Sequence, residues 1–142
     1  MTALQQAAAA RTAGLVTARE EARAYAEPEP FAEACGLSAA PGIYREIAPA
    51  EASAVLQAVL HRDLAHGVEL MSHEQAQVLA GSLLAEYMTG PARCFTNGDF
   101  GRPRSNSNVG PGWRPATNST FDTGIIVLAR HKSLCFWVQD ED

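Results

Sequence analysis

Two short patterns in this chain set aspartates where acid–base or metal-assisted chemistry could use them. His61-Arg62-Asp63-Leu64 followed by Asp99-Phe100-Gly101 imitates the phosphoryl-transfer arrangement of protein kinases, in which one aspartate accepts a substrate proton and another holds magnesium. That chemistry also needs an asparagine five residues after the first aspartate, where this chain has Val68, and a glycine-rich phosphate loop, which it lacks. Phe121-Asp122-Thr123-Gly124 carries an Asp-Thr-Gly triplet, which in aspartic proteases occurs as a pair that shares one proton and activates water. Only one copy is present, and the flap-bearing sheet such enzymes build after it has no counterpart here. A turn opening a strand accounts for the same residues, with Asp122 bonding its own backbone and Gly124 supplying an unusual dihedral angle.

The other reactive side chains are as readily explained by structure. His61 and His66 are five apart, poorer than the four-residue spacing of a zinc helix, and Ser72 separates Glu69 from His73 as a helix cap, so no metal site and no cofactor are expected. Cys94 and Cys135 fall in apolar, strand-like runs, where a thiol is a small core residue, and the wide spacing of the three cysteines suggests reduced thiols and a cytoplasmic location. The stretch 97–118 is different: it is rich in Gly, Pro and Asn, and its Arg102, Arg104 and Arg114 oppose only Asp99. Phe100 and Trp113 are its aromatics, too few for the stacking platform of single-strand binders. An irregular stretch of this length is functional or disordered more often than it is a mere connection. Beyond it, Asp140, Glu141 and Asp142 follow directly on an apolar strand, and three clustered carboxylates gain from a cationic partner.

Composition narrows the classes. With 142 residues, 46% hydrophobic and 19% charged, the chain fits a single globular domain with one core. Its formal net charge of -5 argues against nucleic acid or anionic lipid as partner and suits a basic protein. No run reaches the ~18 apolar residues of a membrane span, and no signal peptide is read at the alanine-rich start.

The elements that must position these residues follow from periodicity. The Ala-rich, proline-free run 2–26 predicts a helical arm over 1–27, ahead of a core over 43–142. Ile43–Ile47 alternates as a short strand. Ala52, Val55, Leu56, Val59, Leu60 and Leu64 recur at helical spacing after Pro49, which suits a first helical turn. Ser72 and Gln75 form a capping-box pattern ahead of a second stripe through Ala76, Leu79, Ala80, Leu83 and Tyr87. Strands are predicted at Arg93–Thr96, Thr120–Ala129 and Leu134–Val138, the last two forming a hairpin apolar on both faces and therefore covered on both. The fold class is α+β: a mostly antiparallel sheet with a C-terminal hairpin on two amphipathic helices, plus an N-terminal helix, and either that helix or a partner is expected to cover the sheet's other face.

The segments Cys94-Phe95-Thr96-Asn97-Gly98, Trp113-Arg114-Pro115, Thr120 to Gly124 and Trp137 to Asp142 together resemble small bacterial immunity proteins of secreted-toxin systems over residues 45–142. The resemblance implies a non-enzymatic cytoplasmic inhibitor that binds a cognate protein toxin. On that reading Asp140, Glu141 and Asp142 steer the encounter with a basic toxin, while Phe100, Trp113 and Arg114 anchor it, with Arg102 and Arg104 beside them. Two other readings stand beside it: a small enzyme or ligand-binding domain with a pocket under 97–118 built on Asp99, Arg102 and Asp122, and an assembly subunit joined through the N-terminal helix.

Overall fold

A computed structural model describes residues 1–101 and 112–141. In it a five-stranded antiparallel sheet runs in the order β1-β5-β4-β3-β2, with β1 at Leu15–Glu21, β2 at Arg45–Ile47, β3 at Ala92–Thr96, β4 at Phe121–Ala129 and β5 at Ser133–Asp140. Helices α1 (Ala3–Ala10), α2 (Pro28–Ala34), α3 (Pro49–His61) and α4 (His73–Ala85) complete the α+β fold expected from the sequence.

The hairpin β4–β5 is the centre of the sheet, and its two apolar faces meet two separate cores. Ile125, Val127, Leu134, Phe136 and Val138 pack under α1, α3 and α4 with Val55, Val59 and Leu83. The alternate residues Ile126, Leu128, Cys135 and Trp137 pack on the opposite side with Phe31 and Ala32 of α2 and with Leu37 and Ile43 after it. Each such fully buried Leu, Ile or Phe contributes ~1.5–3 kcal/mol relative to an exposed one, so the two-sided cover explains why the runs 125–129 and 134–138 within these strands are apolar without interruption.

The helices α3 and α4 follow their sequence signals. Pro49 stands in the first turn of α3, and Ser72 Oγ accepts from Gln75 N at 3.0 Å to cap α4. Elsewhere the expectations are corrected. The helix predicted over 2–26 ends at Ala10, and Leu15–Glu21 is instead an edge strand paired with Gln139–Ser133 of β5. Gly14 permits the change of direction, because its φ of 64° is left-handed and an added Cβ would run into Gln139 O and the Asp140 carboxylate. Helix propensity, a few tenths of a kcal/mol per residue, is overridden by the ladder that the edge of β5 offers. Consequently α1 lies on the same side as α3 and α4, against α4, and the face assigned to it is covered by α2 and the segment that follows.

Candidate functional site

The chain leaves β3 at Asn97 and re-enters the described structure at Gly112, and the two sides run antiparallel. Asp99 N donates to Gly112 O at 3.0 Å and Arg114 N to Asn97 O at 2.8 Å, on either side of a bridge between Gly98 and Trp113. This approach demands a glycine: a Cβ on Gly98 would lie 2.6 Å from Trp113 Cβ. Asn97 locks the junction, its amide donating to Arg114 O (2.8 Å), Asp122 O (3.0 Å) and Asp122 Oδ1 (3.1 Å), and its carbonyl accepting from Thr123 Oγ1 (2.7 Å).

Asp122 lies beneath this junction with no exposed surface. Trp137 Nε1 (3.0 Å), Ala116 N (3.0 Å), Thr117 N (3.2 Å) and Thr117 Oγ1 (2.9 Å) all donate to its carboxylate. It is a staple between β5 and the segment 112–120. That corrects both parts of the strand-opening-turn expectation: Asp122 bonds across to another segment, and it lies within β4 itself. Gly124 is not left-handed; an added Cβ would collide with Phe136 O and lie 2.7 Å from Trp137 Cα, so the position is set by strand approach.

On the outer side of this frame stand three aromatic rings in succession. Phe100 and Trp113 have centroids 5.7 Å apart, and Trp113 and Phe121 5.5 Å, all three half-buried. Arg114 is exposed, and among the described residues no acidic side chain forms an ion pair with its guanidinium. Arg45 donates to Glu51 at 2.7 Å and to the Gly98 carbonyl, fixing the first arm of the junction. Between these groups opens a cavity of about 390 Å³, lined among others by Arg45, Asn97, Asp99, Trp113 and Arg114, and the buried Oδ1 of Asp99 has no hydrogen-bond partner among the described residues. Phe100, Trp113 and Arg114 are thus brought to one end of the sheet. Phe121 joins them as the aromatic that sequence reasoning missed, although its place one residue before Asp122 was a usable signal. Arg102, Arg104 and Asp142 lie outside the described residues.

The acidic cluster does not form a single surface. Asp140 is 3% exposed and turns inward to a bidentate pair with Arg11, at 2.6 and 3.0 Å, while Leu64 N donates to it at 2.7 Å. Arg11 also donates to Val59 O (2.6 Å) and Ala13 O (2.7 Å). Asp140 is therefore corrected from a steering residue to the anionic half of a buried ion pair, because β-strand alternation points it to the α3 face. Arg11 is the only charged residue between Met1 and Ala18, and a lone cation in an alanine-rich segment was the available sign of a buried one. Glu141 is exposed, and hydrogen bonds led by that from the Thr120 hydroxyl hold its carboxyl below the usual range.

The remaining candidates are local staples. Asp63 accepts from the backbone N–H groups of His66 (3.0 Å) and Val68, closing the loop after α3, and His61 Nδ1 lies 2.8 Å from Met71 O. His61 and His73 stack edge to face at 5.5 Å, but no three His, Cys, Asp or Glu side chains among the described residues converge on a metal position. Burial pushes the Cys94 thiol up to about 11. Among the described residues no helix is long and apolar enough to cross a membrane. Comparisons with protein-family models, curated proteins and solved structures gave no match to this chain.

Proposed function

We propose that this protein is a non-enzymatic binding protein that engages a protein partner through the end of the sheet where β3 and β4 join, and that the partner is a bacterial toxin which it neutralises. The observation that carries the reading is the row Phe100, Trp113 and Phe121, half-exposed and backed by the buried Asn97–Asp122 network, with Arg114 lining the cavity that Trp113 also lines. Aromatic rings and arginine held on a rigid support are the side chains that carry most of the energy in protein interfaces, because little entropy is lost when they are covered. The carboxylates that would have suggested catalysis are otherwise employed: Asp122 is saturated by neutral donors and Asp140 is paired with Arg11. The net charge of -5, with Glu141 at the rim, suits electrostatic steering of a basic partner, and the resemblance to immunity proteins supplies the toxin.

Calorimetry of the full chain against any toxin domain that a neighbouring gene encodes tests this reading. A stoichiometric complex weakened by Trp113→Ala and by Arg114→Ala is expected; the lack of a tight complex with any such domain defeats it. A second reading, a small-ligand domain, is favoured by the cavity of about 390 Å³ and the unpartnered Asp99 Oδ1. Asp99→Asn separates the two, since it alters ligand binding in the cavity but leaves a protein complex anchored on Trp113 largely intact.

A further inference from the structure

At the end of the sheet away from the aromatic row, β4 turns into β5 through Arg130 and His131, with Leu128 in register with Ser133 and Ala129 N donating to Lys132 O at 2.9 Å. Arg130-His131-Lys132 is the one run of three Arg, His or Lys residues in a chain whose net charge is -5, and Lys132 is its only lysine. Turn chemistry does not call for them. Two-residue hairpin connections favour Asn, Asp and Gly, which accept left-handed backbone, and no non-glycine residue among those described has a positive φ. All three basic residues line a cavity of about 340 Å³ between this turn and the segment after α4. Lys132 Nζ is held over the Tyr87 ring, 4.4 Å from its centroid. Arg130 and His131 are exposed, and among the described residues neither side chain forms a hydrogen bond or an ion pair. The exposed Glu86 is the only acidic residue of the lining, to which Thr89 adds a hydroxyl and Pro91 and Ala129 an apolar wall.

We propose that this cavity is a binding site for a small phosphomonoester. The Arg130 guanidinium presents a planar fork of donors that matches two phosphate oxygens, and the Lys132 ammonium, held in place by Tyr87, adds a second charge-assisted donor beside it. His131 and the Thr89 hydroxyl complete the donor set, and the organic part of the ester lies against Pro91 and Ala129. Two permanent cations against the one carboxylate of Glu86 favour a group carrying about two negative charges, as a phosphomonoester does at pH 7, over a monoanionic carboxylate. The volume of about 340 Å³ falls at the lower end of the ~300–1,000 Å³ typical of small-ligand sites. The site is separate from the surface proposed for a protein partner: Ala92 pairs with Ala129 at this end of the β3–β4 ladder, whereas Phe121 begins β4 at the other.

The test titrates the full chain with phenyl phosphate, inorganic phosphate and benzoate by calorimetry at constant ionic strength, and maps the contacts by amide NMR shifts. Phenyl phosphate is expected to bind saturably and one to one, with shifts gathered at Thr89, Gly90 and 130–132. Inorganic phosphate, which leaves the apolar wall uncovered, and benzoate, which carries one charge, bind more weakly. Arg130→Gln keeps the parent's thermal midpoint, since the side chain bonds nothing, and weakens phenyl phosphate at least ~10-fold. Arg62→Gln, the same change of charge in the loop whose Leu64 N meets Asp140 at the other end of β5, leaves the affinity as in the parent. The proposal is overturned by the absence of saturable binding, by inorganic phosphate or benzoate binding as tightly as phenyl phosphate, or by the two variants behaving alike. Cosedimentation with phosphatidylglycerol vesicles in place of phenyl phosphate binding overturns it too, and assigns the basic turn to a lipid surface. None of these outcomes bears on whether a toxin binds at the aromatic row.

Discussion

Replacing Asp122 by alanine should unfold this protein far more readily than the loss of a surface aspartate would. The carboxylate receives the backbone N–H groups of Ala116 and Thr117 and the indole N–H of Trp137, all within 3.2 Å and none with another acceptor among the described residues. Thr117 Oγ1 can rotate to another partner, and Asn97 keeps its bonds to two backbone carbonyls. Two buried donors and the half-buried Thr117 N–H are then orphaned, each at a cost of up to ~1–3 kcal/mol. Water entering the vacated space recovers part of this, so a net loss of about 4 kcal/mol is expected, a large share of the ~5–15 kcal/mol that stabilises a typical domain. Asp122→Asn keeps one acceptor oxygen but turns its amide toward donors, and should cost about 2 kcal/mol. Urea unfolding followed by tryptophan fluorescence reads both, since Trp137 is itself a partner. With a slope of roughly 2 kcal/mol/M, the alanine variant's midpoint falls by about 2 M. A loss below about 1 kcal/mol for the alanine variant would refute the staple.

Other perturbations separate the remaining contacts. Asp140→Ala leaves the Arg11 guanidinium buried without its counter-ion and should cost about 3–5 kcal/mol in chemical denaturation, whereas replacing both residues by apolar ones of similar volume should cost less than either single change. Gly124→Ala drives a methyl into the β5 backbone and should lower the thermal midpoint by several degrees or prevent folding, while Gly81→Ala, with open space around its Cα, should be neutral or stabilising.

The elements that reported themselves in the sequence were those where local preference and burial agree. The stripes of α3 and α4 and the apolar runs of β4 and β5 lie at the positions their periodicity indicates, and the apolar character of both hairpin faces correctly implied two-sided cover. Leu15–Glu21 was misread because its alanine-rich context favours helix while its pairing partner lies more than a hundred residues away on β5, information no local window contains. Asp140 was misread for a related reason. Its sequence neighbours are acidic, but strand alternation turns it inward to Arg11, so proximity in sequence did not become a shared surface. Phe100, Trp113 and Arg114 could be picked out as the aromatic and basic members of 97–118, yet their convergence with Phe121 depends on the Gly98–Trp113 bridge.

The most direct measurement is calorimetric titration of the full chain, and of its Trp113→Ala variant, with any toxin domain that a neighbouring gene encodes. The account predicts a one-to-one complex whose dissociation constant rises at least ~30-fold in the variant, about 2 kcal/mol, while the variant's fold is kept. No complex with the parent chain, or a complex indifferent to Trp113, would contradict it.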